Sequence, residues 1–164
     1  MNDLSPPPVT GSTRRHWVVH VFLPLLLGGS IYVLFRSQSL LMFRWSESLH
    51  IMPGIQTVRG LVSPIGDVLP DLLLYSAPDG AWLYAYVCFY RLVWARDSRP
   101  WMWTWIGMGL FLSIGMEIGQ AFGWTRGTFD WMDLAVYAIA ALAAVSSSLP
   151  DDDPAPATTG PPAR

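Results

Sequence analysis

Carboxylate and amide side chains that could do chemistry lie close together near the C-terminal end of this sequence. Glu117 and Gln120 are three positions apart and therefore share one face of a helix. Arg126 follows them, and then Asp130 and Asp133. Oxygen atoms in this arrangement could bind a cationic or hydrogen-bonding group. Carboxylates in unlike environments can also divide acid and base roles between them.

The segments that must position these side chains are apolar. Hydropathy and tryptophan placement predict four membrane spans, at about residues 17–35, 80–95, 101–122 and 129–146. A carboxylate at the middle of a span costs about 2.5–3.5 kcal/mol on insertion scales, so Glu117 requires a polar partner or a water-filled cavity. Because a tight turn makes the last two spans antiparallel neighbours, we expect one polar pocket at the outer end of the bundle. Its expected ligand-binding residues are Glu117, Gln120, Arg126, Asp130, Asp133 and Tyr137.

The composition is typical of an integral membrane protein. Of the 164 residues, 52% are hydrophobic and 13% are charged, against roughly 25% charged in an ordinary soluble domain. We predict an all-α fold, a four-helix membrane bundle at residues 14–148. Residues 1–13 and 149–164 are rich in Pro, Ser, Thr, Gly and Asp, and we expect both to be disordered tails.

The basic residues and the cysteine exclude several classes of function. All ten basic residues are arginines and none stands in a long basic run, which argues against nucleic-acid binding. The single cysteine, Cys88, can form no internal disulfide and belongs to no cysteine cluster that could hold a metal. We predict no metal site and no cofactor.

The chain outside the last two spans also carries structural signals. The first span approaches the ~20 residues that a bilayer requires and no A-x-A-like site follows it, so we expect an uncleaved span rather than a signal peptide. Arginine placement at the span ends puts both termini in the cytoplasm. The connection from Arg36 to Pro78 is broken by prolines and is expected to hold short interfacial or re-entrant helices. A helix after Pro70 is expected to break at Pro78, with Asp79 and Gly80 as the N-cap of the second span.

A purely structural account of the acidic residues remains open. Asp130 can be the N-cap of the last helix, and Asp133 can be a first-turn acid favoured by the helix dipole. Arg126 can be a simple counter-ion for Glu117. The pocket interpretation is favoured because the acids and the amide exceed what a single arginine can neutralise, and because ionisable residues inside a membrane are functional candidates by default.

The run Glu117-Ile-Gly-Gln120, followed by Arg126 and then by Asp130-Trp-Met-Asp133, resembles the signature of VanZ-like membrane proteins. That family shows E-x-x-Q, then R, then D-x-x-D across its last two helices. The resemblance covers about 30 residues and implies a small multispan protein of the bacterial cell envelope, from a family whose biochemical activity is not settled.

The sequence also departs from the family pattern. Tyr137, Ala140 and Ala141 stand where the family commonly has an asparagine and then a glycine, and a histidine typical of an earlier helix is missing. Asp79 is a candidate for a comparable place. If that histidine works as an acid or base in the family, this chain has lost or altered the activity.

The function that we expect is binding at an outward-facing acidic pocket. The resemblance implies a VanZ-like protein of the bacterial inner membrane, and the pocket would bind an envelope lipid, a glycan precursor or a cationic group. Two alternatives stay open: a small structural subunit that docks on another membrane protein, and a membrane enzyme that acts on a lipid-linked substrate. The expected partners are membrane lipids, with a membrane-protein partner or a homo-oligomer as further options, and no nucleic acid.

Overall fold

The computed structural model describes residues 11–38, 41–94 and 99–149 of the chain. Within these ranges every regular element is a helix, which confirms the predicted all-α class. Helix α1 combines the α-helical segments Gly11–Trp17 and Leu23–Phe35 with a π-helical segment, Val18–Phe22, between them. Helix α4 combines the π-helical segment Leu72–Ser76 with the α-helical segment Ala77–Val93. The other helices are α2 at Leu41–Ser48, α3 at Met52–Gly66, α5 at Arg99–Ala121 and α6 at Trp131–Val145.

Four of these helices, α1, α4, α5 and α6, lie over the four predicted apolar segments. The ends of α5 and α6 differ from the predicted ones by one or two residues, whereas α1 begins six residues and α4 eight residues earlier than predicted. Helix α1 begins at Gly11, inside the predicted N-terminal tail. Leu149, the first residue of the predicted C-terminal tail, is 4% exposed and belongs to the hydrophobic core. The remainder of the two predicted tails, residues 1–10 and 150–164, lies outside the described residues.

The connection between α1 and α4 is mostly helical, and one prediction about it is wrong. Pro78 does not break the chain, because it lies in the first turn of Ala77–Val93, directly after the π-helical segment. A wide π-helical turn just before a proline accommodates the missing N–H donor and the bulk of the ring. Asp79 is consequently a residue of the first turn and not an N-cap, and Ser76 stands at the boundary without a side-chain cap.

Helix α4 is the centre of the structure, and its main neighbours are α6 and α1. Gly80 permits the closest approach to α6, because a Cβ atom at this position would collide with the Val136 side chain. Gly28 on α1 has the same role against Trp82, whose Nε1 would lie 2.9 Å from an added Cβ. Helix α5 packs against α4 and, over a smaller area, against α6. Close contacts at small residues therefore set how the apolar helices assemble.

A buried arginine on α4 donates hydrogen bonds to the C-terminal end of the last helix, α6. Arg91 on α4 is 4% exposed, and its Nη1 donates hydrogen bonds to the carbonyl oxygens of Ala144 and Ser147 and to the Ser147 hydroxyl. The last carbonyls of a helix have no partner within the helix, and a cation there also complements the helix dipole. Arg91 therefore ties the C-terminal end of α6 to α4.

The outer surface of the helices is strongly apolar. Exposed fractions reach 66% for Leu26, 74% for Phe111 and 68% for Leu142. Among the described residues one helix, Thr13–Phe35, is long and apolar enough to cross a membrane, judged by length and composition, and Trp131–Val145 is a shorter apolar helix. The predicted bundle of four membrane spans therefore stays a prediction. Only 11% of the most apolar part of Thr13–Phe35 is buried, so this helix does not have the environment of a soluble protein's core helix.

Candidate functional site

Glu117 is the most deeply buried acid in the part of the chain that the structure describes, with 4% of its surface exposed. It lies near the C-terminal end of α5, and Gln120, almost one turn later, donates from Nε2 to Glu117 Oε1 at 3.2 Å. The other carboxylate oxygen, Oε2, is buried and makes no hydrogen bond of normal length and angle among the described residues, although the Asp130 backbone N–H lies close enough to the carboxyl group to interact with it. An unpartnered buried oxygen of an acid is costly, so its position calls for an explanation.

The turn after α5 holds Gln120 against Glu117. Gly123 adopts a positive φ of +70° and ends the helix, as a glycine commonly does. Gly127 also has a positive φ, +135°, and an added Cβ there would lie 2.7 Å from atoms of the Gln120 side chain. Only glycine fits this position, because any larger residue would displace the amide from the acid.

Asp130 and Asp133 enter the site from the start of α6. Asp130 is the N-cap, since its carboxylate accepts a hydrogen bond from the Met132 backbone N–H at 2.8 Å. Asp133 lies in the first turn and is half-buried. The structural account of Asp130 is therefore confirmed, but capping does not exclude a second role, because the same side chain also lines a cavity.

A cavity of about 420 Å³ brings charged side chains from several helices together. Its lining includes Arg36 after α1, Asp79 on α4, Glu117 and Gln120 on α5, and Asp130 and Asp133 from the start of α6. Four acids and one arginine therefore share the cavity, so that acidic side chains outnumber the basic one. Within the described residues these acids, together with any nearby histidine or cysteine, do not form a group that could hold a metal ion.

Arg36 is the cation of this cavity. Its guanidinium carbon lies 4.9 Å from the centroid of the Tyr32 ring and 5.2 Å from that of Tyr75. Its Nη2 atom is 3.9 Å from Asp79 Oδ2, the limit of an ion pair, and its Nε atom is buried without a hydrogen-bond partner among the described residues. Two aromatic rings thus hold the guanidinium in place while one of its N–H groups stays unsatisfied.

A second cavity, of about 460 Å³, lies next to the first. The two share Asp79, Glu117 and Gln120. The rest of the second lining is mainly apolar and aromatic and includes Trp82, Leu83, Tyr86, Leu112, Met116 and Tyr137. Gly109 on α5 leaves room for the Tyr86 ring, which an added Cβ would strike. The polar cavity and the apolar cavity therefore meet at Glu117.

The structure separates the residues that we predicted for the pocket. Glu117, Gln120, Asp130 and Asp133 line the polar cavity, and Tyr137 lines the apolar one. Arg126 is exposed and is not part of either lining. Their role in ligand binding stays a prediction.

Two charged residues of the cavity were not among the predicted ones. Arg36 supplies the positive charge there, and the Tyr32–Arg36 spacing of one helical turn was a local signal for their ring contact. No signal in the sequence linked Arg36 to α5. Asp79, which we had predicted as an N-cap residue and as a candidate for the place of a missing histidine, lines both cavities.

Comparison with known proteins adds no relative. The chain matches no model of a known protein family, no curated protein and no solved structure.

Proposed function

We propose that this chain is a VanZ-like integral membrane protein of the bacterial inner membrane that binds an envelope lipid or glycan precursor through a cationic group. In this proposal α1, α4, α5 and α6 cross the bilayer, both termini are cytoplasmic, and the Glu117 cavity opens toward the outer side. The observation that carries the proposal is the buried Oε2 atom of Glu117, which has no hydrogen-bond partner among the described residues and lines an acidic cavity.

The apolar surface supports a membrane environment. Large exposed apolar side chains are numerous on α1, α5 and α6. Large exposed apolar patches are rare on soluble monomers. Helix α5 has 23 residues, enough to cross the ~30 Å hydrocarbon core of a bilayer. Helix α6 is shorter, with 15 residues, and it begins at the acidic cavity. A cavity at the end of a short span would connect the polar site with the outer membrane surface.

The charge balance supports a cationic ligand group. Four carboxylates line the cavity beside one guanidinium, whose ion pair with Asp79 is long. An ammonium group could donate to Glu117 Oε2 and would reduce repulsion among the surrounding acids. Charge-assisted hydrogen bonds of this kind are roughly twice as strong as neutral ones.

The sequence pattern supports the family proposal independently of the cavity. Glu117, Gln120, Arg126, Asp130 and Asp133 follow the order and spacing of the VanZ-like signature. In the structure the exposed Arg126 lies on the turn between α5 and α6, where a positively charged side chain could meet anionic headgroups at a membrane surface.

Native mass spectrometry of the full chain, purified from bacterial membranes in mild detergent, tests the proposal. We expect an amine-bearing lipid or precursor to remain bound to the wild type and to be lost from Glu117→Gln. Glu47→Gln is the matched control, because Glu47 is exposed on α2 and takes no part in either cavity. Equal retention of the same molecule by wild type and Glu117→Gln would contradict the proposal.

A further inference from the structure

Two buried side-chain atoms without a hydrogen-bond partner occur among the described residues, and both line the same cavity. They are Arg36 Nε and Glu117 Oε2. One is a hydrogen-bond donor on a cation, and the other is an acceptor on a carboxylate. Buried polar atoms nearly always have hydrogen-bond partners in native proteins. One unsatisfied donor and one unsatisfied acceptor in the same cavity therefore point to a single bound molecule that contacts both.

We propose that the bound molecule carries a zwitterionic headgroup, with an ammonium group that donates to Glu117 Oε2 and a phosphate oxygen that accepts from Arg36 Nε. This inference rests on the proposed function and specifies the chemical class of its ligand. A purely cationic ligand would leave the Arg36 donor unsatisfied and would lie close to a like charge. A purely anionic ligand would be repelled by the four acids of the cavity.

The environment of Arg36 suits a phosphate. Tyr32 and Tyr75 contact the guanidinium and restrict its orientation, so less side-chain entropy is lost when an anion binds. Asp79 is 3.9 Å from Nη2, which is too far for a strong charge-assisted hydrogen bond. The guanidinium is therefore positioned by aromatic rings and retains the capacity to bind an acceptor.

The apolar cavity indicates where the remainder of the molecule lies. It shares Asp79, Glu117 and Gln120 with the polar cavity, and aromatic and aliphatic side chains of α4, α5 and α6 line it. The volumes of about 420 and 460 Å³ are in the range of small-molecule sites. A lipid with its headgroup between Arg36 and Glu117 could place the start of an acyl chain in the second cavity.

Binding of defined probes to the full chain in detergent tests the headgroup assignment. The probes are dioleoyl phosphatidylethanolamine, which has both charges, dioleoyl phosphatidylglycerol, which lacks the amine, and dodecylamine, which lacks the phosphate. We expect phosphatidylethanolamine to bind at least about tenfold more tightly than either of the others, because each loses one charge-assisted hydrogen bond. Soluble O-phosphoethanolamine serves as a competitor that has the headgroup without the chains.

Variants identify the atoms responsible. Arg36→Gln removes the positive charge, although its amide keeps an N–H donor near the position of Nε, and it should reduce the advantage of phosphatidylethanolamine over dodecylamine. Glu117→Gln should weaken the binding of both amines. Arg44→Gln, on the exposed face of α2, is the matched control and should change the affinity for neither phosphatidylethanolamine nor dodecylamine. If Arg36→Gln does not fold, as judged by circular dichroism and gel filtration, Arg36→Lys replaces it. Lysine keeps the charge but lacks the Nε donor, so phosphatidylethanolamine should still lose part of its affinity advantage over dodecylamine.

The results separate the two levels of inference. Glu117-dependent binding of dodecylamine, with no advantage for phosphatidylethanolamine, would overturn the zwitterion assignment and leave the proposed function intact. Glu117-independent binding of every amine would overturn both. Competition by O-phosphoethanolamine at the concentration at which the lipid binds would support headgroup recognition and would identify a soluble ligand rather than a lipid.

Discussion

Replacing Glu117 by glutamine should stabilise the empty protein while abolishing ligand binding. The wild-type carboxylate is buried, and one of its oxygens has no hydrogen-bond partner among the described residues. Leaving such a group unsatisfied costs about 1–3 kcal/mol, and more when the group is charged. Glutamine has nearly the same shape, carries no charge, and presents an amide that can donate to the other carboxylates lining the cavity. We therefore expect a gain of about 1–2 kcal/mol in the free energy of unfolding.

A gain of this size is measurable by thermal unfolding of delipidated protein in detergent. For a chain of this length, about 1 kcal/mol corresponds to roughly 2–4 °C in Tm. The Tm difference between Glu117→Gln and the wild type should reverse its sign when the amine ligand is added at saturation, because the ligand stabilises the wild type and not the variant. Glu47→Gln should leave Tm unchanged under both conditions, since that side chain is exposed. A lower Tm for Glu117→Gln in delipidated protein would refute the reasoning, because it would show that the carboxylate is already compensated.

Three further predictions concern packing, capping and topology. Gly80→Ala should lower the unfolding free energy by about 1–3 kcal/mol, because the added methyl group collides with Val136. Gly115→Ala is the control and should raise Tm slightly, because its methyl group meets open space. A higher Tm for both variants would contradict the close approach of α4 and α6. Asp130→Ala should lower the free energy of unfolding by about 1 kcal/mol, measured by thermal unfolding, because it removes the N-cap of α6. Asp130→Asn should keep most of the capping stabilisation. Equal losses of stability in both variants would show that charge matters more than capping. Arg126→Cys should react with a membrane-impermeant maleimide added outside intact cells, because the turn is exposed and is predicted to lie on the outer side. The native cysteine is buried and should not contribute to the labelling. Reaction only after permeabilisation would place the turn on the cytoplasmic side.

Local spacing made much of the helical architecture predictable. Long apolar runs predict helices because a helix satisfies its own backbone hydrogen bonds, and α1, α4, α5 and α6 lie where those runs occur. The proximity of Glu117 and Gln120 follows from helical periodicity alone, and the N-cap at Asp130 follows from its position before an apolar run. These features depend on neighbours within a few residues, so the sequence contains them directly.

The tertiary structure decided which distant residues complete the site. Arg36 lies 81 positions before Glu117 in the chain, and no periodicity relates the two. The contacts of α4 with α1 and α5 bring them to one cavity. Arg126, although nearer in sequence, is exposed because the turn that carries it packs through Gly127 against Gln120 and leaves the arginine outside. The sequence by itself determined the helices and the acids that share a face, because those are local properties. Only the packing of helices determined which cation faces the acids, because that depends on contacts between residues far apart in the chain.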